Sequence, residues 1–203
     1  MDGHGTITWD EFVENAKSLI RVSDEILDSW KFNGDKDIPG QAYLTRQIKT
    51  FVNNDLITGS VDGSYSMNNS NDMYKMSEVK DPFEASNDQE VPLIIEHHVL
   101  WSMSYSVPIL LFNGYLSDFP GINPVSVELA QRLVHHGRLN YSELSQAIHP
   151  ILGKTFLQLH PCMSKELIQN TSKSKNKLVS WLSAVAPAAL NFQLKNEYFA
   201  LTN

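Results

Sequence analysis

The sequence predicts an α+β fold in which helices pack on one antiparallel sheet. Residues 8–30 show a helical apolar period, residues 41–52 and 91–115 have strand-like composition, and helical patterns return after residue 126. Because helices and strands are segregated along the chain, one sheet with the helices packed on it is expected. At 203 residues, the whole chain (1–203) is expected to be a single domain.

The first predicted helix has the best-defined start. Thr8 and Glu11 have capping-box spacing, and Ile7 with Phe12 fits the hydrophobic staple that often accompanies it. Residues 2–12 also resemble the end of a calcium-binding loop, but His4 occupies a position that needs an oxygen ligand. The capping box explains the same residues, so no metal or other cofactor is expected. The apolar stripe of the helix comprises Phe12, Ala16, Leu19, Ile20, Ile26, Leu27 and Trp30.

Strands are predicted at residues 41–52, 91–106 and 109–115, the last two forming a hairpin. Between the first two, residues 53–90 contain many turn-forming residues and few large aliphatics. This stretch is expected to be a mobile insertion.

The long hairpin, residues 91–115, is also a candidate docking surface for a partner. Its two strands carry Trp101, Met103, Tyr105 and Phe112, residue types that are enriched at interfaces. The alternative is that most of these residues, and the Trp101 face in particular, simply form the core under the helices. The opposite face is then expected to be the freer one, and it carries Glu96, His98, Ser102 and Ser104.

The last third of the chain alternates helices with one strand. Ser126 is expected to cap a helix that ends at His136, and Ser164 to cap a helix that starts at Lys165. The other predicted elements are a short helix at residues 142–148, a strand at 154–160 and a helix at 175–186, followed by a weakly patterned tail.

Charge and cysteine content exclude several classes of protein. The net charge of −7 does not favour nucleic acid or an anionic membrane surface as a partner. The longest apolar runs are far shorter than a membrane span, and the acidic, amphipathic beginning does not resemble a secretory signal. A chain with one cysteine forms no internal disulfide, so a cytoplasmic location is expected.

That single cysteine, Cys162, is the candidate catalytic residue. It follows His160 and Pro161 in a turn between a predicted strand and a predicted helix. Backbone N–H groups at a helix N-terminus lower a thiol pKa and favour the reactive thiolate. A buried, inert cysteine is the alternative, since free cysteine is among the most buried residue types.

Histidines offer no obvious base for this thiol. His97–His98 and His135–His136 are adjacent pairs with structural or solvent-facing roles, and His160 is too close along an extended backbone for easy proton transfer. A cysteine hydrolase would have to use His149 or His136, and a non-catalytic binding module is the third possibility.

Three stretches together resemble the autophagy-related protein ten family, ubiquitin-like-conjugating enzymes of the autophagy modifier pathway. They are residues 96–112 (EHHVLWSMSYSVPILLF), 149–162 (HPILGKTFLQLHPC) and 180–187 (SWLSAVAP). The resemblance covers residues 92–187 well. The insertion at 53–90 and the tail after 190 do not match it.

The resemblance implies a variant ubiquitin-conjugating-enzyme fold with a four-stranded antiparallel sheet, an N-terminal helix and later helices. It also implies that Cys162 forms a thioester, with His160 and Pro161 shaping the turn. The implied partners are a ubiquitin-like modifier (autophagy-related protein twelve), an activating enzyme (autophagy-related protein seven) and an acceptor (autophagy-related protein five). In ordinary ubiquitin-conjugating enzymes, the asparagine of a His-Pro-Asn motif stabilises the oxyanion. This chain lacks that motif, so the group that stabilises the oxyanion is left open.

Overall fold

A computed structural model describes residues 5–54, 57, 90–134, 144–159, 161–190 and 192–203. Four α-helices are defined in this part of the chain: α1 (Trp9–Glu25), α2 (Val127–Val134), α3 (Cys162–Asn170) and α4 (Lys177–Val185). The strands are β1 (Lys31–Gly34), β2 (Ala42–Asn53), β3 (Glu90–Ser102), β4 (Val107–Tyr115), β5 (Leu144–Ile148) and β6 (Thr155–Leu159).

These strands form one antiparallel sheet in the order β1-β2-β3-β4-β6-β5. The predicted α+β class with an antiparallel sheet is confirmed, but the expected four strands are wrong, because the sheet has six. Both additional strands lie at the edges. β1 has only four residues, too few to show an alternating pattern.

The second edge strand, β5, was expected to be a short helix at residues 142–148. Its apolar residues Leu144, Ala147 and Ile148 fit a helical spacing, so periodicity alone favoured the wrong element. In the structure β5 pairs with β6 along its whole length, from Leu144 opposite Leu159 to Ile148 opposite Thr155. Pairing with a neighbouring strand therefore overrode the local pattern.

Helix α1 begins as predicted. The Thr8 hydroxyl accepts from the Glu11 backbone N–H at 3.1 Å, and the Glu11 carboxylate accepts from the Thr8 N–H at 2.9 Å. Ile7 and Phe12, the expected staple pair, are both buried in the core. The helix ends at Glu25 rather than near residue 30, and the chain turns through the positive φ angle of Leu27.

The central hairpin is confirmed, with β3 paired to β4 from Ile94 opposite Tyr115 to Ser102 opposite Val107. Its first strand ends at Ser102, four residues earlier than expected, and residues 103–106 form the turn. β2 matches its predicted position within one residue. The predicted insertion at 53–90 falls almost wholly outside the described residues.

One face of the sheet, here called the inner face, packs against the helices in a single core. The core also includes the tail, through Phe192 and Tyr198, which the weak sequence pattern did not indicate. His97 lies on this face and donates from Nε2 to the Ala189 carbonyl at 3.0 Å. The inner-face core residues of the sheet include Leu44, Ile95, Val99, Leu110, Phe112 and Leu157.

The opposite face, here called the outer face, holds a smaller cluster of Tyr43, Leu100, Leu111 and Phe156. His98 and His149 are buried beside it, and their ring centroids lie 5.0 Å apart. The prediction that His98 belongs to a free face is therefore wrong. The turn that begins at His149 returns over the outer face, a contact that strand alternation alone does not reveal.

Acid is expected to destabilise this fold between pH 7 and pH 5. Burial lowers the pKa of His97 and of His149 to about 4, whereas a histidine in the unfolded chain titrates near about 6.5. The unfolded chain therefore binds protons first as the pH falls, and stability present above pH 6.5 is lost towards pH 4. Protonation of each of these two histidines in the unfolded chain should lower the free energy of unfolding at pH 5 by up to about 2 kcal/mol relative to neutral pH.

Urea denaturation at pH 7.5 and pH 5 measures this difference. A His97→Phe variant should show about half of it, because one of the two titrating groups has been removed. A free energy of unfolding that is the same at both pH values, or higher at pH 5, would contradict the prediction.

Candidate active site

Cys162 is the first residue of α3, directly after Pro161. The helix was expected to start at Lys165 with Ser164 as its cap, so that expectation is wrong. Pro161 occupies the N-cap position with φ −75° and ψ −4°, and its carbonyl accepts from the Ser164 N–H at 3.0 Å. The fixed φ of proline suits the entry to a helix, which lets the first turn form three residues earlier than expected.

Starting the helix at Cys162 strengthens the chemical argument for this residue. The first turn of an α-helix has backbone N–H groups that lack intrahelical acceptors, and the helix dipole places partial positive charge there. Both effects stabilise a thiolate relative to a thiol. The motif residue His160 lies outside the described part of the chain.

The N-terminal segment packs against this first turn. Gly5 has a φ of +93°, and a Cβ atom added there would lie 2.6 Å from the Lys165 carbonyl oxygen. A side chain at this position would collide with the α3 backbone, so glycine is required. Ile7 connects the same segment to the β3–β4 hairpin. Its N–H donates to the Ser106 carbonyl at 2.9 Å, and its carbonyl accepts from the Trp101 indole at 3.0 Å.

The β3–β4 turn lies at the end of the sheet from which the chain enters α3. This follows because β4 is antiparallel to β6, so β4 begins beside the residues where β6 ends. The turn exposes Met103 and Tyr105, whose relative exposures are 68% and 64%. Gly40 of the β1–β2 loop lies beside Met103, and nearby Ile38 is also exposed. Of the predicted interface residues, only Met103 and Tyr105 therefore lie in the exposed turn. Trp101 is half-buried and holds the N-terminal segment, and Phe112 is wrong as an interface residue because it is buried in the core.

His149 is not placed to act as a base for Cys162. His149 precedes β6 and Cys162 follows β6, so the two residues lie at opposite ends of that strand. Its five residues span roughly 16 Å. His149 is fully buried, and its Nδ1 accepts from the N–H groups of Ile151 and Leu152, both at 3.2 Å. The other candidate base, His136, lies outside the described residues.

The His98 side chain is buried and hydrogen-bonded to Glu96, rather than exposed on a free face of the sheet. Its Nε2 lies 3.0 Å from Glu96 Oε1, and this hydrogen bond holds the pKa of the Glu96 carboxyl below its usual value. Its ring stacks on Tyr43 at 5.4 Å and lies 4.6 Å from Phe156. His98 is therefore part of a buried cluster and does not lie on a free docking face.

The described residues contain no group of three or more histidine, cysteine, aspartate or glutamate side chains arranged to hold a metal ion. Among the helices defined in these same ranges, none is long and apolar enough to cross a membrane.

Comparison with known proteins identifies the family. The family model described as "Autophagocytosis associated protein, active-site domain" matches residues 11–195, a range that includes Pro161 and Cys162. A Homo sapiens relative named ubiquitin-like-conjugating enzyme ATG10 is 28% identical over 198 residues, covering 90% of this chain and 89% of its own.

Two further relatives have the same name. The Arabidopsis thaliana protein is 29% identical over 106 residues, covering 44% of this chain and 46% of its own. The Dictyostelium discoideum protein is 29% identical over 116 residues, covering 47% and 50% respectively. The expected resemblance and transferase class are confirmed, and the chain belongs to the autophagocytosis-associated active-site domain family, whose relatives here are ubiquitin-like-conjugating enzymes.

Proposed function

We propose that this enzyme takes a ubiquitin-like autophagy modifier as a thioester on Cys162 and passes it to an acceptor lysine. The modifier would be autophagy-related protein twelve, delivered by the activating enzyme, autophagy-related protein seven. The acceptor would be autophagy-related protein five. The observation that supports this most directly is that the only cysteine of the chain begins α3, immediately after Pro161.

Two acyl transfers make up the proposed reaction. First, the Cys162 thiolate attacks the carbonyl carbon of the modifier's C-terminal glycine, and the thiolate of the activating enzyme leaves as the new C–S bond forms. Next, an acceptor lysine amine attacks the same carbon, loses a proton, and expels the Cys162 thiolate. An isopeptide bond results, and the cysteine is regenerated.

The geometry favours transfer over hydrolysis. Exchange between thioesters needs a reactive, accessible thiolate and no general base, because the two thioesters have similar energies. A cysteine hydrolase needs a histidine held against the thiol and a third group that orients it. His149, the candidate base among the described residues, lies at the end of β6 opposite to Cys162. Its Nδ1 already accepts from two backbone N–H groups.

We also infer a variant ubiquitin-conjugating-enzyme fold in a single domain that works in the cytoplasm. The order of α1, the antiparallel sheet and the later helices supports the fold, with β1 and β5 as additions at the sheet edges. The exposed turn with Met103 and Tyr105 is the part of the hairpin that we propose as a docking surface, since it adjoins the beginning of α3.

A charging assay tests the proposed function. The enzyme is incubated with the activating enzyme, ATP and the modifier, and is then separated with and without reductant. We expect an ATP-dependent adduct that reductant removes, and because the chain has one cysteine, such an adduct locates the thioester at Cys162. Release of a shortened modifier tail would instead support a hydrolase, and no reaction with an active activating enzyme would support a binding module.

A further inference from the structure

We propose that Trp181 and Ser164 are positioning residues that hold the first turn of α3 in the geometry that activates Cys162. This inference rests on the proposed catalytic role of Cys162. The Trp181 indole Nε1 donates to the Ser164 hydroxyl at 3.0 Å. Both residues are buried, with relative exposures of 1% and 5%, and Ser164 lies two positions after Cys162 in the first turn.

The first turn of α3 has unusually little support from its own cap. Pro161 at the N-cap makes no side-chain hydrogen bond to the helix, in contrast to Thr8 of α1, which does. An N-terminus without a capping side chain lacks one of the hydrogen bonds that satisfy its first backbone N–H groups, so it frays more easily. The hydrogen bond from Trp181 reaches the turn from a neighbouring helix. It satisfies no backbone N–H group, but it anchors the side chain of Ser164 and so restrains the turn.

Trp181 is itself firmly held, because α4 is tied to α1. Asn176, which caps α4, donates from its side-chain amide to the Asn15 carbonyl at 3.0 Å. Lys177 in the first turn of α4 pairs with Glu11 at 2.9 Å. These contacts fix the axis of α4 and therefore the position of the indole N–H.

The consequence concerns the reactivity of the thiol. If the first turn frays, its backbone N–H groups and the helix dipole give less stabilisation to a negative charge at the first helical position, so the thiolate of Cys162 is expected to be less favoured. Removing the Trp181–Ser164 bond should therefore move the thiol pKa of Cys162 upward, because the thiolate loses stabilisation from the helix N-terminus. A helix N-terminus changes the stability of a nearby negative charge by a factor of about two to five, which sets the expected size of the effect.

The rate of iodoacetamide alkylation, measured from pH 5 to pH 10, reports the thiol pKa directly, since the chain contains a single cysteine. Trp181→Phe and Ser164→Ala should each slow alkylation at pH 7 about two- to fivefold, with the pH profile displaced to higher pH. The double variant should match the single ones, because all three lack the same bond. Ser164→Thr keeps the hydroxyl and should restore the wild-type profile.

Two buried residues elsewhere provide matched controls. Trp30 is buried, and its indole N–H has no partner among the described residues. Ser23 is buried, and its hydroxyl accepts from the Trp30 backbone N–H at 3.0 Å. Trp30→Phe and Ser23→Ala should alter stability without displacing the alkylation profile.

Folded Trp181→Phe and Ser164→Ala variants with a wild-type profile would overturn the inference, as would an equal displacement in Ser23→Ala. Should Ser164→Ala fail to fold, Trp181→Phe and Ser164→Thr still decide the matter. Alkylation requires no modifier or activating enzyme. A wild-type enzyme that cannot be charged would therefore refute the proposed function, whereas normal charging with unchanged profiles would refute the positioning role alone.

Discussion

Replacing Cys162 by serine is expected to abolish turnover and to trap the modifier on the enzyme as an ester. The hydroxyl has nearly the volume of the thiol, so the fold should persist. An oxygen ester is far less reactive towards an amine than a thioester, and loss of a catalytic nucleophile typically lowers the rate by on the order of 10³-fold or more. The trapped adduct should survive reductant and be cleaved by alkali.

Gel analysis of the charging reaction, followed by separate reductant and alkali treatments, measures this result. Cys162→Ala serves as the control and should form no adduct, while circular dichroism confirms that both variants are folded. An adduct that resists both treatments would indicate an amide on a lysine. That outcome, or undiminished conjugation, would exclude Cys162 as the acyl carrier.

Replacing Asp28 by alanine is expected to lower the free energy of unfolding by about 3–5 kcal/mol. The Asp28 carboxylate accepts from Arg46 at 2.7 Å and from the Tyr198 hydroxyl at 2.8 Å, and it lies 3.1 Å from the Lys195 ammonium. Arg46 is nearly buried, with its guanidinium 4.7 Å from the centre of the Phe192 ring. Removing the carboxylate would leave this cation buried without its partner.

The surface pair of Lys17 and Glu14 provides the control. Its atoms lie 2.9 Å apart, as close as in the buried cluster, but both side chains are largely exposed. Glu14→Ala should therefore change stability by no more than about 0.5 kcal/mol. Urea denaturation compares the two variants. Similar losses from both would show that burial of the Asp28 cluster contributes little, contrary to the expectation.

The predictable elements of this fold are those that depend on nearby residues. The start of α1 follows from the hydrogen bonds between Thr8 and Glu11, which are three residues apart. The β3–β4 hairpin follows from β-rich sequence interrupted by a short turn. The sequence likewise singled out Cys162, because it is the only thiol of the chain and lies at the junction between a predicted strand and a predicted helix.

The errors occur where pairing or packing with another segment, rather than the local pattern, determines the outcome. β5 became a strand because β6 pairs with it, and β1 because it pairs with the beginning of β2. The start of α3 moved from Lys165 to Cys162, and the hydroxyl of Ser164 accepts from the distant Trp181 rather than acting as a cap.

Sequence alone was sufficient for the family, the antiparallel α+β layout and the candidate nucleophile, because those features depend on composition, short-range spacing and a run of recognisable motifs. Only the tertiary structure decided that His98 is buried, that Tyr198 joins the core, and that Trp181 reaches the turn containing Cys162. Such contacts join residues far apart in the chain. Their stability comes from burial and hydrogen bonding that arise when the segments pack, which no local pattern records.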